Sequence, residues 1–221
     1  LGKACAKALM EEGVSVIINA RGEDALNETF EELSKIDKDR ISMVVADLDT
    51  EEGRNRILES CPEADILINN NSGPPPINFL ESDKDLWLKA LDSNLLSAIF
   101  MIKGLLPGMT KRNFGRIINI TSAMVKSPHP LMSLSTSARA GLTAFSKGIS
   151  KDVAKYNVTI NNLLPERFDT DRQVFMTEML MENQNISREE ARSQITSSIA
   201  ANRFGKPEEF GATCAFLCSE Q

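Results

Sequence analysis

Gly115-Arg116-Ile117-Ile118-Asn119-Ile120-Thr121-Ser122 is a strand-length run whose apolar residues follow one another without regular polar alternation, and it closes on two hydroxyls. A strand apolar on both faces has to be covered on both faces, the condition of an interior strand in a parallel sheet with crossover helices. Residues 14–19, 41–46, 65–69 and 158–164 have the same character, so with 116–120 the chain offers five buried strands. Stretches of helix length lie between them, the longest over 83–109 and 132–156, with Pro107 expected to end the first. Strand and helix alternating over 221 residues predict a doubly wound parallel α/β sheet in a single domain spanning 1–221.

Composition narrows the function. Hydrophobic residues at 42% and charged residues at 25% are ordinary for a globular domain, and no uninterrupted apolar run reaches the about 18 residues of a membrane span. A net charge of -6 and a pI near 5.0 argue against nucleic acid as a partner, because phosphate contacts need clustered Lys and Arg. Cys5, Cys61, Cys214 and Cys218 have no C-x-x-C spacing and only one histidine to join them. They form no metal set and read as buried free thiols of a reducing cytoplasm.

The hydroxyl at the end of the quoted run has a particular company. Asn94 lies 28 residues before Ser122, Ser135 lies thirteen after it, and Arg139 four beyond Ser135. This layout resembles the short-chain dehydrogenase/reductase family, whose members place Asn, Ser, Tyr and Lys at these intervals. In Leu134-Ser135-Thr136-Ser137-Ala138-Arg139 a serine stands at the Tyr position and an arginine at the Lys position. The resemblance covers essentially the whole chain. It implies that the helix opening Leu1-Gly2-Lys3 follows a first strand and a glycine-rich turn, and that a last strand follows Gln221, so both are expected to be missing from this sequence.

What the resemblance implies about a cofactor can be set beside the physics of each residue. Gly2 would be the last glycine of the turn that brings a helix N-terminus to a pyrophosphate, where unpaired N–H groups and the helix dipole favour the anion. The plain alternative for one glycine is packing. Ala20-Arg21 ends the second strand of the family, where a base accommodates a 2'-phosphate, so NADP is favoured and NAD remains allowed. Asp47 and Leu48 match the pair that meets the adenine, although an aspartate there also suits a helix cap. Asn70, in Asn69-Asn70-Asn71-Ser72-Gly73, matches the turn after the fourth strand. Pro165 and Thr170, in Pro165-Glu166-Arg167-Phe168-Asp169-Thr170, match the loop that holds the carboxamide, with Glu166 in place of the usual glycine.

Carbonyl reduction needs a polarising donor and a proton source. By resemblance Ser122 polarises, Asn94 holds a water, Ser135 and Arg139 occupy the remaining catalytic positions, and Arg139 grips ribose. A serine hydroxyl is a far weaker acid than a phenol, and a guanidinium keeps its proton, so the proton is expected from solvent or from His129 in the loop before Ser135. Tyr156 is too distant along its helix and reads as packing. The polar, helix-prone segment 170–203 reads either as a solvated helix pair or as a substrate lid. The expectation is an NAD(P)-dependent oxidoreductase of a small carbonyl or alcohol, cytoplasmic, and a homotetramer or homodimer. The alternative is a catalytically impaired nucleotide-binding sensor or assembly protein on the same fold, with dehydration or epimerisation of a nucleotide-linked substrate as a third reading.

Overall fold

The computed structural model describes residues 1–220. Five strands form: β1 (Val16–Ala20), β2 (Ile41–Val45), β3 (Ile66–Asn69), β4 (Gly115–Ile120) and β5 (Val158–Leu163). All pairings among them are parallel, in the orders β1-β2 and β3-β4-β5. The two sheets share no ladder among the described residues. A cleft of about 1650 Å³ lies between β1 and β3 and is walled by α1 (Gly2–Glu11) and α9 (Pro207–Cys218).

Every residue of β4 is buried, as its unbroken apolar run demands. Ile117 joins one core cluster with Met101, Ile102, Leu105 and Met109 of α5 (Ser97–Arg112). Its neighbours Ile118 and Ile120 enter a second cluster with Cys5 and Leu9 of α1 and Phe210 and Cys214 of α9. Alternate side chains of one strand thus feed two helical layers, which makes the sheet doubly wound. A third cluster packs α1 and α2 (Glu23–Leu33) against β1 and β2.

Helix ends follow local chemistry. Thr50 caps α3 (Glu51–Ser60) by accepting from Gly53 N, and Asp83 caps α4 (Lys84–Leu91) by accepting from Leu86 N. Asn113 and Asn157, both left-handed, turn the chain from helix into β4 and β5. Helix α6 (Ser133–Val153) packs on β5 and ends in a 3₁₀ turn before Asn157.

Pro107 does not end its helix. The chain stays helical through Pro107 to Arg112, because Leu105 and Met109 on either side are buried and their packing outweighs the one backbone bond that proline removes. Lys84–Arg112 is then one helical rod of 29 residues, long and apolar enough by length and composition to cross a membrane, with α5 contributing its apolar face to the core. Of the four thiols, Cys61 is only half-buried, while Cys5, Cys214 and Cys218 are buried together between α1 and α9. Their mutual hydrogen bonds hold the Cys214 thiol well above its usual range.

Helices α1 and α9 approach closely: a Cβ on Gly211 would run into the Ala4 carbonyl. Gly211→Ala is therefore expected to lower stability by about 2 kcal/mol or more, read as a lower urea midpoint at unchanged slope.

Candidate active site

The C-terminal ends of β3, β4 and β5 are brought to one edge by an asparagine ladder. Asn69, Asn119 and Asn162 are register partners across the three strands. Asn69 Nδ2 donates to Asn119 Oδ1 at 2.9 Å, and Asn119 Nδ2 donates to Asn162 Oδ1 at 3.2 Å and to Ser146 Oγ of α6 at 2.9 Å. A buried polar chain with its bonds satisfied fixes both the strand register and the seat of α6. Ligands in open α/β sheets bind beyond these strand ends.

Ser122 lies two residues past the end of β4 and is half-buried. Its Oγ accepts from Met124 N at 3.2 Å, which caps a short 3₁₀ turn and leaves the O–H free to donate. Ala123 N donates to Pro165 O at 3.0 Å, which ties the Ser122 loop to the loop after β5. Asn94 sits in a π turn, Asp92–Leu96, between α4 and α5. Such widened turns are frequent at functional positions. Asn94 Nδ2 donates to Ser72 O at 2.8 Å, while its Oδ1 is buried without a partner. Asp49 braces the same region, accepting from Asn71 Nδ2 at 2.8 Å and from Ser93 Oγ at 2.6 Å.

Ser135 and Arg139 lie one turn apart on α6, 5% and 9% exposed. Arg139 Nη1 donates to the carbonyls of Ile120 at 2.7 Å and Thr121 at 3.1 Å, Nη2 to the Asn71 carbonyl at 3.2 Å, and Nε to Ser135 Oγ at 3.1 Å. The guanidinium clamps the tip of β4 to the turn after β3, and four of its five N–H groups are spent on protein. No salt bridge engages it among the described residues. Burial alone pushes it down to about 10, so it keeps its charge at neutral pH. The ribose grip expected of Arg139 is reduced to one N–H on Nη2.

The cofactor residues fall at the same edge. Gly2 opens α1, which has no side-chain cap, and a Cβ on Gly2 would lie 2.8 Å from Asn70 Nδ2. Arg21 stands exposed just past β1 with no hydrogen bond or ion pair among the described residues. Asp47 Oδ1 accepts from Asp49 N at 3.0 Å, leaving the other oxygen available, and Leu48 packs on the core. Thr170 Oγ1 donates to Phe168 O at 3.3 Å before α7 (Asp171–Gln184). Glu166 is exposed, 3.7 Å from Arg167 Nε. These residues fit a dinucleotide laid across the strand ends.

His129 and Tyr156 make no side-chain bond to the residues gathered above. His129 is exposed, and its Nδ1 accepts from Leu131 N at 3.3 Å, capping a 3₁₀ turn. Tyr156 is 38% exposed beneath Lys155, so it does not pack in the core. The helices α7 and α8 (Arg188–Ser197) form a largely solvated pair. The feet of this excursion are zipped by Gly205 N to Arg167 O and Asp169 N to Gly205 O, both 2.8 Å, and Arg192 reaches back to Asp169. The asparagine ladder and the Asp49 brace escaped the sequence reading. Each depends on partners far apart in the chain, and only the repeated Asn near strand ends hinted at the ladder.

The profile of the family described as short chain dehydrogenase matches residues 1–180. The chain is similar to the NADPH-dependent reductase BacG of Bacillus subtilis, at 32% identity over 100% of this chain and 87% of that protein. It is similar at 30% identity to the uncharacterized oxidoreductase YvaG of the same organism, over 99% and 85% of the two chains. The crystal structure of L-sorbose reductase from Gluconobacter frateurii, complexed with NADPH and L-sorbose, superposes with a TM-score of 0.92 at 28% identity, covering 99% of this chain and 85% of that one.

Replacing Arg139 by alanine is expected to cost about 3 kcal/mol in urea unfolding, since three carbonyls lose their donors. Ser135→Ala removes one acceptor and is expected to cost about 1 kcal/mol.

Proposed function

The chain belongs to the short-chain dehydrogenase family, and from that premise we propose that it is an NADPH-dependent oxidoreductase reducing a small-molecule carbonyl at the crevice over β3, β4 and β5. The observation that carries this reading is the convergence of Ser122, Asn94, Ser135 and Arg139 on the tip of β4 and the turn after β3. Relatives described as NADPH-dependent support the choice of cofactor, as does the unpartnered Arg21.

In this reading Gly2, Asn70, Asp47, Leu48, Pro165 and Thr170 hold the dinucleotide, and Arg21 meets its 2'-phosphate. The bound nicotinamide supplies hydride. Ser122 donates its free O–H to the carbonyl oxygen, and Arg139 holds a fixed positive charge beside the oxygen as negative charge develops. Arg139 gives up no proton, and no bond joins His129 to Ser122, Ser135 or Arg139, so the proton is taken from water. The segment 170–203 serves as a lid whose feet are pinned at Phe168 and Gly205. Free cysteines suit a cytoplasmic setting. Exposed Leu86, Leu88 and Phe100 on the α4–α5 rod suit association of identical chains.

Fluorescence titration is expected to show NADPH binding tighter than NADH, with Arg21→Ala weakening NADPH about 10- to 100-fold and leaving NADH unchanged. Absence of any nucleotide binding in the parent chain would favour an assembly role instead. In a screen of ketones, aldehydes and sugars, Ser122→Ala is expected to lower kcat about 10²- to 10³-fold on whichever carbonyl turns over.

A further inference from the structure

A strap of chain borders the crevice and offers it almost nothing polar. Its start is pinned where Arg139 Nη2 donates to the Asn71 carbonyl at 3.2 Å and Asn94 Nδ2 to the Ser72 carbonyl at 2.8 Å, and its end where Ile77 N donates to Leu131 O at 2.9 Å. A Cβ on Gly73 would stand 3.4 Å from Ser135 Oγ, so residues 73–77 run beside the stretch from Ser135 back to Leu131. Pro74, Pro75 and Pro76 carry no N–H, and the N–H of Ile77 is spent on Leu131. Residues 74–77 therefore present carbonyl oxygens and aliphatic side chains, and no donor. Three consecutive prolines bonded at both ends also leave the strap little freedom to adapt.

The segment bonded to the strap is mostly apolar as well. Met124 and Val125 follow Ser122 and are half-buried, as is Met132, and Leu131, four residues before Ser135, is 44% exposed. Lys126 and His129 are the only charged or titratable residues between Ser122 and Ser135, and both are exposed. Past Ile77 the apolar strip continues in Phe79 and Leu80, which are 59% and 78% exposed. Contiguous exposed apolar groups mark a binding surface, and one end of this strip touches Ser135. Arg139 has four of its donors committed, so it has no free fork for a carboxylate.

We propose that the carbonyl substrate carries an uncharged alkyl or aryl tail, which lies along the strap from Gly73 to Ile77 and against Leu131, and that it is taken in preference to polyhydroxylated or carboxylated carbonyls. The inference rests on the reductase reading of the crevice and names its substrate class. A carboxylate brought against residues 74–77 gives up its water and finds no N–H in exchange, and a hydroxyl finds acceptors only. A methylene loses nothing there and is drawn out of water.

Methyl ketones from butan-2-one to octan-2-one, with dihydroxyacetone and pyruvate beside them, test this by ligand-observed NMR on the whole protein, with and without saturating NADP+, so that binding is read apart from turnover. Dissociation constants are expected to fall about threefold per added methylene, with octan-2-one binding at least about 30-fold tighter than dihydroxyacetone or pyruvate. Leu131→Asp, at an exposed position, is expected to keep the parent's melting temperature and NADP+ affinity and to cut the gain to below about twofold per methylene, while Leu131→Met restores it. A flat series overturns the proposal, as does dihydroxyacetone or pyruvate binding as tightly as octan-2-one, or a Leu131→Asp protein with the parent's slope. A protein that binds the long ketones in this order yet reduces none of them with NADPH overturns the reductase reading and leaves the apolar wall in place. Reduction of dihydroxyacetone or pyruvate in preference to octan-2-one does the opposite.

Discussion

A single buried guanidinium sets the terms for this crevice. Taking a cation out of water is expensive, and Arg139 has no carboxylate to offset the cost. It is tolerated because three main-chain carbonyls and a hydroxyl surround it, in a place where strand tips point oxygens at one another. The same contacts make it a staple between β4 and the turn after β3. A lysine, with one nitrogen and three rotating donors, would not span the Ile120, Thr121 and Asn71 carbonyls in this way. Structural and electrostatic duties are fused in one side chain, and the neighbouring serine is small enough to let the turn at Gly73 come close.

Most of the fold was legible because parallel strands covered on both faces leave an unbroken apolar signature. The runs at 41–46, 65–69, 116–120 and 158–164 correspond to observed strands within a residue or two, and the run at 14–19 is displaced toward Ala20. Pro107 misled because a local rule was read without tertiary context: one lost bond near a helix end is small beside the burial of Met109 and Leu105. The trio of thiols was half visible, since the four-residue spacing of Cys214 and Cys218 puts them on one helical face, while Cys5 joins them only through packing.

The site was legible as positions more than as roles. Spacing located Ser122, Asn94, Ser135 and Arg139, and the structure gathers them at one edge. Spacing could not say that Arg139 would spend its fork on main-chain oxygens, nor that Asn94 would keep an acceptor unmatched, because both depend on where the turn 71–73 passes. His129 looked chemically apt by type alone, yet two prolines and a capping bond give it a local structural duty.

The close approach of α1 to α9 has a consequence for how the molecule is made. Helix α1 opens the sequence, and the helix that shields it is the last in the described chain. A ribosome delivering residues from the N-terminus leaves Cys5 and Leu9 without their α9 cover until Phe210 and Cys214 have emerged. Closure of so long a loop is thus slower than the pairing of the strands between, and α1 acquires its final seat only after α9 has been made.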